Sequence, residues 1–512
     1  MIFRLALRSL STRPLRSAVL AIGFGLGIAV MAELLGVGEV ILEQAHAPAL
    51  QGGGDLLVTG AVGPVDSARF LLSSVLGSDR FRSRTSAVSP SKKATLYLTA
   101  HNQSVAIAVR GGVPSREKAV GDPEIAGQDK WTDEPADAAW TNPPPGDILR
   151  AMDRFHPVPQ SDQTSWAEWL YFNGKTADGA LRFYLTFLAG APNASGTRPM
   201  VVRLQLNRGG LTANYSAAAA VDARELLQNA PALDVGGNSV RLDGSRYHLT
   251  LALDAERASR QSPAAPRQSP ITGRQSPIAG NQSPNAGRQS TVVSPRSNVL
   301  RRRSHDVEGE IVLEAAPGRS LPPAAIHGAR GWVSGYVVPV LSGAFHGTLH
   351  VNGEDVSVDG AAGYHDHNWG FWEDVRWQWG QVAGTDVSIV YGRVFPPAKV
   401  ADASRIPGFL GVLGPDGPIA FSTDVSIAEM DEGGKPKTIT VQARGSQVEL
   451  TLQLDVAESI ETRMSLTRRA EDAMTFLQLG GDYRVRGKAA GRDISFTARG
   501  SAETFRTESA RR

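Results

Sequence analysis

The sequence predicts a mainly all-β protein, built from antiparallel barrels or sandwiches behind one amino-terminal membrane helix. Two observations carry the β assignment. From Trp166 onward, short segments with alternating or β-branched apolar residues recur between turn signals. Helical periodicity is scarce beyond the amino terminus. The helix is predicted by a third: Ser17 to Ala32 carries no charge. At 512 residues the chain is too long for one core, so roughly two to four domains are expected.

Taken in order, Arg4, Arg8, Arg13 and Arg16 precede the apolar run, and Leu34, Leu35 and Val37 extend it past Glu33. Pro14 to Leu35 reaches the length of about 20 residues that a spanning helix needs. The arginines place residues 1–16 in the cytoplasm, residues 17–42 as the anchor and the remainder outside. The expected location is a bacterial inner membrane with periplasmic domains. A cleaved signal peptide ending at Ala45-His46-Ala47 is the competing reading, opposed by Pro48 and by the length of the run. Gly23, Gly25 and Gly27 permit close approach of a second membrane helix.

Residues 43–145 form a weakly patterned segment. Leu56 to Val58, Ala94 to Ala100 and Val105 to Val109 read as strands, and Gly111 to Pro145 as loop. One strand series then includes Leu181–Gly190, Met200–Asn207, Tyr247–Leu253 and Ile311–Ala315. A second includes Val387–Phe395, Thr438–Arg444, Val448–Val456 and Ile494–Gly500. Ala218–Asn229 and Asp147–Arg154 are the helical candidates. The expected domains are 146–320 and 321–508. Residues 257–303 repeat Arg-Gln-Ser-Pro every seven residues, as in Arg260–Pro263 and Arg267–Pro270. This segment lacks apolar residues at coiled-coil spacing and reads as a disordered insertion.

Lys+Arg 53 against Asp+Glu 51 offers no field for nucleic acid, and the absence of cysteine excludes thiol chemistry and disulfides. The chemistry concentrates in Gly363 to Gly370 (GYHDHNWG). As a strand, this stretch puts Tyr364, Asp366 and Asn368 on one face and His365, His367 and Trp369 on the other. On an apolar face Asp366 becomes a general acid, oriented by Tyr364 and Asn368. The alternative is a structural carboxylate bonded to backbone amides. His365 and His367 join the catalytic candidates; they read either as two metal ligands, with His346 and His350 one strand earlier able to complete the set, or as structural hydrogen-bonders, and no metal or other cofactor is assigned. Trp369, Trp372, Trp377 and Trp379 are four of nine tryptophans and suit the walls of a site for a large apolar ligand.

The stretch Gly363 to Gly370 resembles the hallmark of the AttH-like and hydroxyneurosporene synthase (carotenoid 1,2-hydratase) superfamily. Trp166 to Gly174 (WAEWLYFNG), Asp153 to Pro159 (DRFHPVP) and Gly500 to Phe505 (GSAETF) are similar to further family segments. The resemblance covers residues 146–508 outside the repeat. It implies two lipocalin-like barrel halves packed together, with a ligand cavity near their junction. It adds Glu168, Trp169 and Tyr171 as ligand-binding residues, and Asp366 with Tyr364 as the acid and its partner. The hydratase segment with a His-x-Trp pair corresponds to Gly335–Pro339 (GYVVP), which has neither residue, so the AttH-like branch is the closer match. Arg4 to Val30 resembles the first membrane helix of an FtsX/MacB-type ABC transporter permease, and Asp55–Gly60 with Arg110–Glu124 resembles part of its periplasmic segment.

Three functions follow as expectations. The first is a membrane-anchored protein that binds an isoprenoid- or lipid-like molecule. The second is a hydratase, isomerase or cyclase that protonates an alkene through Asp366. The third is an accessory subunit of an ABC transporter complex, with a permease or ATPase as partner.

Overall fold

The computed structural model describes residues 56–59, 68–77, 79–100, 103–122, 130–141, 143–161, 165–256, 305–465 and 473–507, with a few isolated positions elsewhere. The expected anchor at 17–42 and the repeat at 257–303 lie outside these residues. No described helix is long and apolar enough to cross a membrane.

The amino-terminal segment contains helices α1 (Ala68–Gly77) and α2 (Asp79–Arg82), then a hairpin of β1 (Ser91–Ala100) and β2 (Gln103–Gly112). Both strands lie where alternation predicts them. The stretch expected to be loop also holds α3 (Pro114–Ala119) and α4 (Ala138–Thr141), whereas Leu56 to Val58 pairs with no strand among the described residues. Helix α5 (Pro145–Met152) then leads toward the barrel.

Four strands follow: β3 (Trp166–Lys175), β4 (Leu181–Gly190), β5 (Thr197–Arg208) and β6 (Leu211–Asp222). After α6 (Ala223–Asn229) come β7 (Leu233–Val235), β8 (Asn238–Asp243) and β9 (Arg246–Ala255). The chain resumes with β10 (Val307–Ala315), β11 (Leu321–His327), β12 (Val333–Val351), β13 (Glu354–Ser357) and β14 (Ala361–Phe371). Strands β9, β10, β12, β14, β3, β4, β5 and β6 pair in that order, and β6 returns to β9, closing a barrel.

The alanine-rich stretch expected to begin a helix at Ala218 is instead strand. Ala218, Ala219 and Ala220 pair with Val201, Met200 and Pro199. Cross-strand pairing overrides the helix propensity of alanine here. The helix starts at Ala223, where the Asp222 side chain accepts from the Arg224 and Glu225 amides.

The second sheet comprises β15 (Arg376–Ala383), β16 (Ser388–Phe395), β17 (Phe409–Gly414), β18 (Gly417–Ser422), β19 (Asp424–Glu432), β20 (Lys435–Gly445), β21 (Val448–Ser465), β22 (Ala473–Ala489) and β23 (Arg492–Thr507). Its order runs β18-β17-β16-β15-β23-β22-β21-β20-β19, and β18 does not pair with β19. Two lipocalin-like barrels or sandwiches were expected; the first half is a closed barrel, and this half is an open, curved sheet. The change of sheet falls between Phe371 and Arg376, downstream of the expected division at 320/321.

The barrel is filled by Leu170, Phe172, Phe183, Phe187, Leu249 and Phe345, all at 0% exposure, with their neighbours. Each such side chain contributes roughly 1.5–3 kcal/mol by leaving water. A separate apolar cluster includes Tyr171, Tyr184, Tyr364, Leu321, Val390 and Phe409. It draws on both sheets and lines the junction between them.

Candidate active site at the sheet junction

Strand β14 is central in the barrel wall, between β12 and β3. Its neighbours satisfy its backbone, so its side chains divide cleanly by period two. Odd-numbered residues enter the barrel and even-numbered residues face the second sheet.

The inward face carries a buried polar network. One nitrogen of His365 lies 2.9 Å from Asp153 Oδ2, and the other lies 3.0 Å from the Tyr171 carbonyl oxygen. Tyr247 donates its hydroxyl to the same Asp153 oxygen at 2.6 Å. His367 Nε2 lies 3.1 Å from Glu168 Oε1, and Arg198 donates to Glu168 Oε2 at 3.1 Å. The His156 amide donates to Glu168 Oε1 at 2.8 Å, and the His156 ring stacks on Trp369 at 4.0 Å. Burial raises the Glu168 carboxyl, but bonds and charge from His156 and His367 outweigh it and bring the carboxyl down to about 2. His156, Glu168 and His367 have ligand atoms within 4.8 Å of one another. Arg198 against Glu168 supplies a cation there already, so the cluster is read as structural.

The outward face holds the candidate acid. Asp366 is 4% exposed. Tyr364 donates to its Oδ2 at 2.7 Å, and Asn368 donates to its Oδ1 at 2.6 Å. Trp379, from β15 of the second sheet, donates to the Tyr364 hydroxyl at 3.0 Å. These partners are side chains, unlike the backbone amides that a turn-holding carboxylate would recruit. Glu503 on β23 is the second carboxyl of the junction, hydrogen-bonded to Tyr171, whose hydroxyl also accepts from Gln478 at 3.1 Å. Burial first, and the Glu503 charge second, push the Asp366 carboxyl well above its usual range, over the opposing bonds from Tyr364 and Asn368. Burial likewise raises Glu503 to about 7. Each half of the molecule thus contributes one carboxyl; the barrel adds the Tyr364 and Tyr171 hydroxyls and the second sheet the Trp379 indole.

The structure therefore divides the expected residues. Tyr364, Asp366, Asn368, Tyr171 and Trp379 meet at the junction. Trp169 packs 4.7 Å from Trp372 and 6.3 Å from Trp377, and Trp377 stacks on Phe505 at 4.2 Å. His365, His367, Trp369 and Glu168 lie inside the barrel, away from that face. Two cavities, about 180 and 390 Å³, flank α6 and are not lined by β14.

Sequence reasoning assigned no role to Glu503, Gln478, Asp153, His156 or Arg198. Glu503 lies within GSAETF, and Asp153 and His156 within DRFHPVP. The signal present was the place of Glu503, Asp153 and His156 within those two segments.

No family model matches this chain, and no curated protein matches it. Among solved structures it is similar to CghA with Sch210972, at 11% identity and a TM-score of 0.39, over 69% of this chain and 94% of that one. Kievitone hydratase from Nectria haematococca gives 12% identity and 0.38, over 69% and 94%. A putative AttH protein of Nitrosomonas europaea gives 14% and 0.36, over 69% and 97%. The chemistry of this chain lies in its own residues. They define a two-sheet β protein with a carboxyl pair buried between its sheets.

Proposed function

We propose that this protein binds a large apolar molecule, isoprenoid- or lipid-like, at the sheet junction and protonates an alkene within it. Asp366 is the acid, and Tyr364 and Asn368 orient it. The observation that carries this reading is a buried carboxyl with side-chain partners, beside a second carboxyl that disfavours its ionisation. The Asp366 proton adds to one alkene carbon, leaving a carbocation at the other. Indole faces of Trp169, Trp372, Trp377 and Trp379 favour such a charge. Water then adds in a hydration and returns a proton to the Asp366 carboxylate. Loss of a different proton to that carboxylate gives isomerisation, and attack by a second alkene gives cyclisation once the new cation loses a proton to the same carboxylate.

Native mass spectrometry of the full chain tests this. Wild type should release a converted ligand, whereas Asp366→Asn should retain the unconverted one. Equal conversion by the variant would remove Asp366 from the chemistry.

The proposed setting is the periplasmic face of a bacterial inner membrane, supported by the charge-free run Ser17–Ala32 behind four arginines. Association with an ABC transporter permease is proposed on the resemblance of Arg4–Val30. Co-purification lost on Gly23→Leu and Gly27→Leu would support it.

A further inference from the structure

The junction face of the barrel ends in a group of cations that the proposed chemistry does not use. Lys175 closes β3 and sits directly opposite Arg182 at the start of β4. Arg499 reaches the same place from β23 of the second sheet. A β-carbon added at Gly179, in the β3–β4 turn, would collide with the Arg499 guanidinium and lie 3.7 Å from Lys175 Cε. Arg182 is 3% exposed, and its guanidinium lies over Gly480 of β22, where any side chain would displace it.

The donors outnumber their acceptors. Arg182 pairs through Nη1 with Glu458 at 2.9 Å, and Arg499 pairs through Nε with Asp482 at 3.4 Å. Arg182 Nε and Nη2 and Lys175 Nζ are buried without a hydrogen-bond partner among the described residues. Three cations face two carboxylates, and the unmatched charge is enclosed. Burying such donors without acceptors is costly, and an anion would satisfy them.

We propose that Lys175, Arg182 and Arg499 form a binding site for an anionic head group, a carboxylate or a phosphate. Its place relative to Asp366 follows from the ladders. Lys175 pairs with Ala362, four residues along β14 from Asp366, which puts them about 13 Å apart at a rise of ~3.3 Å per residue. Arg182 donates to the Tyr184 hydroxyl at 3.4 Å, and Tyr184 stacks at 6.3 Å on Tyr171, which bonds Glu503. A row of tyrosines thus joins the cations to the carboxyl pair. Burial first, then Arg182 and Arg499, lower the Lys175 ammonium to about 8, the response of a cation short of counter-charge.

The anion site stands on its own residues; its assignment to the head of an apolar ligand rests on the function proposed above. The test compares dodecyl phosphate, dodecanol and inorganic phosphate by equilibrium binding to the full chain. Wild type should bind dodecyl phosphate at least tenfold more tightly than dodecanol, and Lys175→Met should reduce that preference to threefold or less. Arg499→Gln, at a more exposed position, provides a second variant should Lys175→Met fail to fold, and should weaken the preference likewise. Equal affinity of wild type for the two amphiphiles, or a preference surviving in the folded variants, would overturn the site. If dodecanol does not bind while inorganic phosphate binds wild type and not Lys175→Met, the anion site stands and the apolar-ligand reading fails.

Discussion

Asp366 and Glu168 are both buried carboxyls, three residues of ladder apart, yet their surroundings drive them in opposite directions. Glu168 meets His156, His367 and Arg198 and is held at about 2, below its free value of 4.5. Its ionised form therefore stabilises the fold above about pH 4.5, and that stability is lost as pH falls toward 2. The contribution is on the order of 3 kcal/mol. Glu168→Gln should lower the melting temperature at pH 7, with the difference from wild type shrinking toward pH 3. Glu503 behaves in the reverse sense. Its folded value, about 7, lies above the unfolded one, so its contribution is present below about pH 4.5 and disappears as pH rises to 7. Glu503→Gln should accordingly melt higher than wild type at pH 8 and show little gain at pH 4. An unchanged difference across that range would remove Glu503 from the carboxyl pair.

At the scale of elements, β14 acts as a two-sided plate. Its inward histidines tie the segment at Asp153–His156 to the barrel, and its outward trio faces the second sheet. Removing one partner of a buried charged network typically costs 3–5 kcal/mol. Asp153→Ala should therefore lower stability by about that amount, measured by urea unfolding, because His365 and Tyr247 lose their shared acceptor. Gly335 on β12 meets the Trp369 indole, so Gly335→Ala should cost about 1–3 kcal/mol by overpacking. Much of this element was legible beforehand. GYHDHNWG has the alternation of a strand, and period two separates Asp366 from the histidines without knowledge of the fold. What alternation cannot supply is the identity of the opposing strand. Glu503 lies far along the chain from Asp366, and only sheet packing brings them together. Ala218–Ala220 failed for a related reason: alanine favours helix in isolation, and β5 decided otherwise.

At the scale of the molecule, a closed barrel and an open curved sheet meet across a junction lined with aromatic residues. The two strand series foretold two β units, but the closure of one and not the other depends on pairings such as Tyr215 with Ala255, which composition does not encode. Strands β9 and β10 are direct neighbours, with Leu253 opposite Val307 and the Ala255 amide donating to Asp306 at 2.8 Å. Replacing residues 257–303 by a short Gly/Ser linker should leave the melting temperature within about 2 °C of wild type, since barrel registration does not require the repeat. The central claim is a neutral Asp366 held between the two halves. Infrared spectroscopy near neutral pH tests it most directly, through the component that Asp366→Asn removes. A protonated-carboxyl stretch present in wild type and lost in Asp366→Asn is the predicted result. A wild-type spectrum without that band, or a band unchanged in the variant, would contradict it.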